Sequence, residues 1–353
     1  MKNITSSTLI FMMHVFTCAF AQTAKYSVCV IDTDTGNPIN DAYVFGGFVM
    51  ESRGWDNTPP ANLDKKRTNE KGVCQLSGRT DAGRSYFGVE KNGYYNFRHG
   101  SIQFTKQSLF GFGQWRPNDL VVTARIDRIK KPIPLFIKHI RGFSDKKKRE
   151  KYNPLFLWDS DFESIVTTNQ CVRAFDFLIG DWVRPYGKGE KSDMLVTCQK
   201  EILGHKIIES PYGNEDREFS ILTAKISFSG TGNGVCEVSP RLDSVLWIRE
   251  ATTNGYSNSP LVRRKGYTAP HTHFDEFDNR KCYCFRIRTE YDKDGNIVTA
   301  YYGKIYGDFR VNDDHGIAFT YYLNLTPNDR NLEFNRKTNL NPNDKRRPYE
   351  IAP

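Results

Sequence analysis

Apolar and polar residues alternate from the first ordered-looking stretch of this chain. Tyr26, Val28 and Val30 fall on one side of a two-residue period, and Cys29 and Ile31 fall on the other. Both faces of this strand are therefore largely covered. Asp34 to Pro38 has turn chemistry, and a new apolar run begins at Ala42. The stretch from Tyr26 to Val44 predicts the first hairpin of a β-sandwich.

The same two-residue period continues to about Ile129. Its clearest example is the last strand, where Leu120, Val122, Ala124 and Ile126 share one face. Val121, Thr123, Arg125 and Asp127 point the other way, and such a mostly polar second face is typical of a half-buried strand. The prolines that follow Ile129 end this strand, because proline cannot donate to a sheet ladder.

Strands separated by turns also fill the second half of the chain. Residues 282–291, the turn 292–296 and residues 297–306 form its best hairpin pattern. The fold class predicted is all-β, with two antiparallel β domains. The first is a prealbumin-like sandwich, and the second is a β-sandwich or a jelly-roll-like domain.

The domain boundaries follow from these patterns and from the length of 353 residues, since a domain usually has roughly 100 to 200. We expect a signal peptide, an N-terminal sandwich, a linker, a C-terminal β-rich domain and a polar tail. Their respective ranges are 1–21, 25–129, 130–165, 166–341 and 342–353.

Several turns of the N-terminal part carry a family resemblance. The strings VCVID at 28–32, TGNPI at 35–39, DAYV at 41–44, TNEKG at 68–72 and KNGY at 91–94 resemble the carboxypeptidase regulatory-like, prealbumin-type domain. The resemblance implies a non-catalytic β-sandwich attached to an exported bacterial protein. It indicates the fold of residues 25–129 and carries almost no information about function.

Residues 1–21 have the pattern of a secretory signal. Lys2 precedes an apolar run from Leu9 to Phe20, and Ala19-Phe20-Ala21 is a cleavage-site pattern of small residues. No other segment is apolar for long enough to span a bilayer. We therefore expect an exported protein that is periplasmic, cell-surface or secreted, without a membrane span after signal cleavage.

The formal net charge of +9 favours anionic partners such as an envelope surface or an acidic polysaccharide. Much of the excess lies in two basic runs, at 146–151 and 345–347, that are typical of a solvated linker and tail. No nucleic-acid-binding module accompanies the charge, so a nucleic-acid partner is not expected. The sequence does not indicate an oligomeric state.

Eight cysteines occur, and loss of Cys18 with the signal leaves seven. An odd number at irregular spacing is not the framework of a disulfide-rich domain. Cys29 and Cys74 can pair within the N-terminal domain, or the thiols can be small buried apolar groups.

One cluster has the ligand types that zinc prefers. Period-two geometry puts His271, His273 and Asp275 on one face of a strand, and Cys282 and Cys284 on one face of another. If these strands pair as a hairpin, the donors can converge on one ion. The alternatives are a loop at the histidines and a Cys-x-Cys pair that is simply buried. No other cofactor is indicated.

Aromatic residues provide a second kind of candidate site, because flat rings on a rigid sandwich stack on sugar rings. The candidate glycan-binding residues are Trp182, Tyr186, Trp247 and Tyr301. Tyr301 and Tyr302 point to opposite faces, so only one of them can serve a given surface.

Signatures of hydrolases are missing, including Gly-x-Ser-x-Gly and His-Glu-x-x-His. No catalytic residue is predicted. The main hypothesis is a non-catalytic binding or surface-associated module with a glycan ligand. The alternative is an envelope enzyme acting on polysaccharide with a catalytic C-terminal domain, since two carboxylates on distant strands can suffice. A structural envelope protein is a third possibility.

Overall fold

The fold is entirely β in a computed structural model of the chain. The structure describes residues 23–50, 62–109, 112–117, 119–141, 170–210, 213–239, 248–269, 272–312 and 316–342. These residues contain strands, turns and bridges but no helix, so the all-β prediction is confirmed. Accordingly, none of the described segments is a helix with the length and apolar character needed to cross a membrane. The predicted signal peptide lies outside the described residues.

The chain divides into two compact units. The described part of the N-terminal unit ends at Ile129, and the C-terminal unit begins at Lys130. Each unit has its own hydrophobic core.

The described residues of the N-terminal unit form nine strands. They are β1 (Thr23–Asp32), β2 (Tyr43–Phe48), β3 (Asn62–Arg67), β4 (Val73–Arg79), β5 (Arg84–Glu90), β6 (Phe97–Gln103), β7 (Thr105–Leu109), β8 (Phe112–Arg116) and β9 (Val121–Ile126).

Two sheets of this unit share one core. One has the order β4-β1-β9 and the other β3-β2-β5-β6, while β7 and β8 form a separate ribbon. The Tyr26 ring of β1 lies 5.8 Å from Phe48 of β2 and 6.1 Å from Phe87 of β5, so the sheets meet face to face. Strands β1 and β9 pair in parallel, and the other pairs in these sheets are antiparallel.

The predicted first hairpin is wrong. Strand β1 pairs with β4 and β9, whereas β2 pairs with β3 and β5 in the other sheet. Between them only a bridge from Ile31 to Pro38 forms. Pro38 cannot extend a ladder, so the chain crosses from one sheet to the other instead of turning back.

In the C-terminal unit, the part of the chain that the structure describes contains twelve strands. They are β10 (Ile133–Arg141), β11 (Gln170–Asp176), β12 (Asp181–Trp182), β13 (Met194–Ser210), β14 (Gly213–Phe228), β15 (Gly234–Val238), β16 (Leu261–Ala269), β17 (Thr272–Asp275), β18 (Cys282–Tyr291), β19 (Ile297–Val311), β20 (Ile317–Leu323) and β21 (Phe334–Asn339).

These strands form two six-stranded sheets around one core. We call the sheet with the order β15-β18-β19-β20-β10-β21 the A sheet, and the sheet with the order β12-β11-β13-β14-β16-β17 the B sheet. Phe177, which directly follows β11, stacks on Phe285 of β18 with ring centroids 4.6 Å apart. Phe177 also meets Tyr321 of β20 edge to face at 4.9 Å. Aromatic packing across the sandwich therefore joins the two sheets.

Strand β10 lies within the segment that was expected to be a linker. It pairs with β20 on one side and with β21 on the other, inside the A sheet. Its register with β21 shifts between Ile133 and Leu135, around Pro134. A proline is tolerated in a strand at such an irregularity, because a missing donor is no loss there.

Strand β18 is buried on both faces, as its continuous apolar run allows. Tyr283, Phe285 and Ile287 belong to the sandwich core. Cys282 and Cys284 belong to a smaller cluster on the opposite face, together with Ile248 and Leu332. The predicted hairpin of residues 282–306 is confirmed as the antiparallel pair β18 and β19.

Candidate functional site

The residues of the predicted zinc cluster lie in different sheets. His273 and Asp275 are in β17, which pairs with β16 of the B sheet. Cys282 and Cys284 are in β18, which pairs with β15 and β19 of the A sheet. The strand pairing that the cluster required is therefore not the one that forms, because each strand takes a partner from its own sheet. His271 lies outside the described residues.

The described contacts of these side chains are with neighbouring protein groups. The His273 ring lies 4.9 Å from the Tyr267 ring, and Asp275 accepts the backbone N–H of Phe277 at 3.0 Å. Burial raises the pKa of Cys282 and of Cys284 to about 11, which keeps both as neutral thiols at neutral pH. Within the described ranges, no group of three or more His, Cys, Asp or Glu side chains could hold a metal ion.

Two of the predicted sugar-stacking rings pack in or against the sandwich core. Trp182 is only 1% exposed and meets Phe175 edge to face at 5.2 Å. Tyr301 is half-buried and packs against the same core. The Trp182 prediction is therefore corrected, because a ring in the core has no face to offer a ligand. Trp247 lies outside the described residues.

Tyr186 is the exposed member of that predicted set. Its side chain is 40% exposed, in the turn region that follows β12. The guanidinium carbon of the buried Arg173 lies 4.1 Å from the centre of its ring. One face of Tyr186 is thus taken by a cation–π contact inside the protein.

The C-terminal unit buries several charged groups, and the first network centres on Arg288. Its Nη2 donates to Asp176 Oδ1 at 2.7 Å, and its Nε donates to Asp193 Oδ1 at 2.9 Å. Asp176 also accepts four backbone N–H groups, from residues 178, 179, 190 and 191. Burial raises the pKa of Asp193, although Arg288 offsets part of that effect. The network ties the loop after β11 to β18.

A second network joins the two sheets of the sandwich. Arg263 of β16 donates from Nε to Asp308 Oδ2 at 2.7 Å and from Nη2 to the Tyr283 hydroxyl at 2.6 Å. The Tyr283 hydroxyl donates in turn to Asp308 Oδ1 at 2.9 Å. Burial is the main reason that the pKa of Tyr283 is raised, and the neighbouring carboxylate adds to it. This phenol therefore stays protonated and holds the carboxylate in place.

Lys304 of β19 is fully buried on the outer face of the A sheet. Its Nζ donates to the backbone carbonyls of Ile248 at 3.0 Å and Leu332 at 2.9 Å. Burial lowers its pKa to about 7, since the charged ammonium loses its hydration. The amine therefore links the segments that contain Ile248 and Leu332 to the A sheet through hydrogen bonds.

These three networks share a lack of access to solvent. Asp176, Asp193 and Asp308 are buried, and each has its oxygens occupied by donors. A substrate cannot reach a carboxylate in this state, and the groups are already satisfied. The networks therefore stabilise the C-terminal unit and offer no acid or base to a ligand.

Aromatic side chains are accessible on the outer face of the four-stranded sheet of the N-terminal unit. Along β2 and β5, Val44 and Phe87 point into the core, and their neighbours in sequence point outward. Tyr86 is 46% exposed and Leu63 is 52% exposed. We call this surface the outer-sheet patch, and it consists of Tyr43, Phe45, Leu63 and Tyr86.

Glycines shape the outer-sheet patch. A Cβ at Gly88 would come within 2.3 Å of the Phe45 ring, so this ring lies directly over the glycine. Gly47 of β2 is opposite both Leu63 of β3 and Tyr86 of β5 in the register. The two flanking strands are thus two inter-strand spacings apart, roughly 9.5 Å. Gly47 is buried and has no side chain to place between Leu63 and Tyr86.

Basic residues border the outer-sheet patch. Lys65 and Arg67 are exposed on β3, on the same alternating set as Leu63. Arg67 pairs with Asp41 at 2.7 Å, and Glu90 stands opposite Tyr43 in the register. The border carries both signs, with Lys65 directly opposite Phe45.

Sequence reasoning missed the outer-sheet patch. The strings Tyr43-x-Phe45 and Tyr86-x-Gly88 do carry the alternation that an outward aromatic face produces. The missing information was which of the two faces of each strand meets the core. That choice depends on the other sheet, through contacts such as Tyr26 with Phe87.

Comparison with known proteins gives only distant likenesses. No protein-family model matches the chain, and no curated protein matches it. The resemblance of residues 25–129 to the carboxypeptidase regulatory-like domain therefore remains a prediction.

Solved structures of unrelated activities match at low similarity. The 3-chlorocatechol 1,2-dioxygenase from Rhodococcus opacus 1CP is 13% identical, with a TM-score of 0.23, over 30% of this chain and 60% of that one. The intradiol ring-cleavage dioxygenase from Tetranychus urticae is 17% identical, with a TM-score of 0.19, over 24% of this chain and 52% of that one. The chain thus spans little more than half the length of these two dioxygenases.

The full-length major pilin SpaD from Corynebacterium diphtheriae matches over 90% of this chain and 92% of its own, at 10% identity and a TM-score of 0.25. Similarity this low does not allow a fold family, an activity or a partner to be inferred for this chain.

Proposed function

We propose that this protein is an exported, non-catalytic carbohydrate-binding module that takes its glycan on the outer-sheet patch. The observation that supports it most is the exposure of two apolar side chains on the outer face of one sheet, Tyr86 at 46% and Leu63 at 52%. In the register both stand opposite Gly47, which has no side chain to separate them.

Sugar chemistry suits the outer-sheet patch. The C–H face of a pyranose ring packs on an aromatic ring, and the hydroxyl groups at its edge stay in water. The rings of a rigid sheet lose little conformational freedom when they bind, because the backbone already holds them in place. Phe45, lying over Gly88, extends the apolar surface of the patch.

Charge favours a glycan that carries carboxylates or other acidic groups. Lys65 and Arg67 stand beside the apolar patch, and the whole chain has a formal net charge of +9. Exposed cations attract an anionic polymer and increase its rate of association, an effect that salt weakens. The same surface would recognise an anionic envelope polysaccharide.

Export is proposed from residues 1–21, which have the charged start, apolar run and small-residue cleavage pattern of a signal peptide. The destination is the periplasm, the cell surface or the medium. The enzymatic alternative is not advanced, because Asp176, Asp193 and Asp308 of the C-terminal networks are buried and already hydrogen-bonded, and no other observation favours catalysis.

The test is affinity electrophoresis of the folded protein in gels that contain polygalacturonate as an anionic glycan or dextran as a neutral one. We expect polygalacturonate to retard the protein, and Tyr86→Ala to weaken binding by about 3- to 10-fold, the value of one stacked ring. Leu63→Ala should also weaken binding to polygalacturonate.

The matched control is Tyr291→Ala, since Tyr291 is 41% exposed but lies in the C-terminal unit. It should bind like the wild type. Retardation by neither polysaccharide, or an equal loss in the Tyr291 variant, would contradict the proposal.

A further inference from the structure

Two cysteines of the C-terminal unit face each other across neighbouring strands. Strands β15 and β18 are antiparallel, and their register places Cys236 directly opposite Cys284. Both side chains pack against the same small cluster on the outer face of the A sheet. The two thiols therefore lie on one side of the sheet.

This register matches the requirement of a disulfide. Directly opposed residues of an antiparallel pair have Cα atoms about 4.5 or 5.5 Å apart, depending on the hydrogen-bonding position. Disulfides bridge Cα separations of roughly 4.4 to 6.8 Å, so either position permits the bond without moving the backbone.

Other cysteines that could compete are placed less well. Cys282 is opposite Val238, which makes it a diagonal neighbour of Cys236. Diagonal neighbours lie about 7 to 8 Å apart, at or beyond the limit for bridging.

The Cys29–Cys74 pair expected in the N-terminal unit fails for a different reason. Cys74 is opposite Val28, and Cys29 is opposite Val73. Neighbouring positions alternate between the faces of a sheet, so Cys29 and Cys74 point to opposite sides.

We propose that Cys236 and Cys284 form a cross-strand disulfide when the protein meets a disulfide oxidant. The two thiols are not bonded to each other in the structure. Oxidation is the step that an exported protein would encounter, because disulfides persist outside the reducing cytosol. The proposal does not depend on the glycan ligand.

The chemistry is two thiol–disulfide exchanges, written here for oxidised glutathione. Cys236 is half-exposed, so its thiolate attacks one glutathione sulfur and releases the other glutathione as a thiolate. The Cys284 thiolate then attacks the Cys236 sulfur of the mixed disulfide and releases the second glutathione. Two electrons pass from the protein to the oxidant, and the two thiol protons end on the two glutathiones.

The second exchange is the slow one. Burial raises the pKa of Cys284 to about 11, which leaves little thiolate at neutral pH. Closure of the bond should therefore accelerate as the pH rises.

The disulfide would link the edge strand β15 covalently to β18 in the A sheet. Strand β15 has five residues and stands at the end of the sheet order, with β18 as its neighbour there. The covalent link would close a loop of roughly 50 residues and restrict the unfolded chain, as disulfides generally do. The oxidised protein should unfold at a higher temperature than the reduced protein.

The test exposes the reduced, folded chain to oxidised glutathione, blocks free thiols with an alkylating agent after denaturation, and maps tryptic peptides without reduction. Cys236 lies in the peptide 226–241, and Cys282 and Cys284 share the peptide 282–286. We expect these peptides to be linked after oxidation. Mapping is needed because the register also places Cys171 opposite Cys198, so the mass of the intact chain does not assign the bond.

Single variants identify the partner. The link should survive in Cys282→Ser and disappear in Cys236→Ser and Cys284→Ser. If the buried Cys284→Ser variant does not fold, fragmentation of the linked wild-type peptide locates the bond instead. A link that persists in Cys284→Ser, a bond located at Cys282, or full alkylation of Cys236 after oxidation would overturn the proposal.

Discussion

The outer faces of two sheets in this protein differ in what they do with their side chains. In the N-terminal unit, the outer face of the four-stranded sheet leaves Tyr86 and Leu63 open to solvent. In the C-terminal unit, the outer face of β18 and β19 is covered by segments that include Ile248 and Leu332. These covering segments bury the amine of Lys304 and the thiols of Cys282 and Cys284. The outer face of the four-stranded sheet, by contrast, leaves its rings accessible to a ligand.

This contrast separates chemical type from function. The C-terminal unit has residue types of a catalytic or metal site, including Cys, Lys and paired Asp. Burial and hydrogen bonding make Asp193, Lys304 and Asp308 parts of the scaffold. In the N-terminal unit, the side chains of the outer-sheet patch lie where a partner can reach them. Stability and ligand binding should therefore respond to different substitutions in the two units.

The largest expected effect is the loss of stability when the carboxylate that joins the two C-terminal sheets is removed. Asp308→Ala removes one partner from a buried ion pair and leaves Arg263 uncompensated. Such a change typically costs about 3 to 5 kcal/mol of unfolding free energy. Urea unfolding of the purified variant measures it.

The matched control for that variant is Asp294→Ala, at an exposed turn position. Its unfolding free energy should stay within about 0.5 kcal/mol of the wild type, as for ordinary surface substitutions. Equal losses of unfolding free energy in Asp308→Ala and Asp294→Ala would mean that the buried network contributes no more to stability than an exposed turn residue does.

The next effect is a pH dependence that originates from Lys304. Its pKa is about 7 in the folded chain, whereas the ordinary value for lysine is 10.5, so the unfolded chain binds more protons above pH 7. Stability should therefore rise between about pH 7 and 9, by at most about 1.4 kcal/mol for each pH unit. Above that range, Cys282 and Cys284 act in the opposite direction, because burial raises their pKa values.

Lys304→Met tests this dependence, because methionine has a similar length and does not titrate. We expect the variant to lack the rise in stability, in urea unfolding measured at a series of pH values. Its loss of hydrogen bonds to the carbonyls of Ile248 and Leu332 lowers stability equally at every pH. The same rise in variant and wild type would show that another group titrates.

A smaller effect belongs to a half-buried network in the N-terminal unit. The Tyr94 hydroxyl donates to Asp32 Oδ2 at 2.9 Å and accepts from Arg128 at 2.8 Å. Tyr94→Phe should cost about 1 kcal/mol, the net value of one hydrogen bond. Urea unfolding at neutral pH measures this loss.

The unfolding free energies of Tyr94→Phe and of the wild type should converge in acid. Burial of Asp32 tends to raise its pKa, but the backbone N–H of Thr35 and the Tyr94 hydroxyl outweigh it, so the pKa lies below its ordinary value. The stability that this carboxylate contributes is present above its unfolded pKa and is lost as the pH falls through the lowered one. A difference between Tyr94→Phe and the wild type that persists below that pKa would exclude the carboxylate as its source.

The smallest stability effect is expected at the outer-sheet patch itself. Tyr86→Ala removes a ring that is 46% exposed and lies outside the core cluster, so unfolding free energy should change by no more than about 0.5 kcal/mol. Thermal or urea unfolding checks this value. A loss as large as that of Asp308→Ala would mean that the ring belongs to the core and is not a binding surface.

Part of this architecture can be predicted locally. The alternation from Leu120 to Ile126 predicts a half-buried strand, and the structure has β9 there with Ala124 and Ile126 in the core. The turn chemistry at 292–296 predicts the hairpin of β18 and β19. In both cases the signal lies within a few residues, because alternation and turn geometry are local properties of the backbone.

Long-range pairing was predicted poorly. Two segments that are close in sequence, β1 and β2, belong to different sheets, and so do β17 and β18. Strand β10 finds its neighbours β20 and β21 almost two hundred residues further along the chain. No local pattern states which distant strand offers the complementary edge.

The sequence by itself determined that the chain is β-rich, where many strands and turns lie, and which residue types could carry chemistry. Tertiary structure alone decided which face of each strand is covered. That decision buried Trp182, Lys304 and Asp308 and left Tyr86 exposed. The physical reason is that a two-residue period defines two faces without ranking them, and only packing against another sheet or segment selects the face that loses its water.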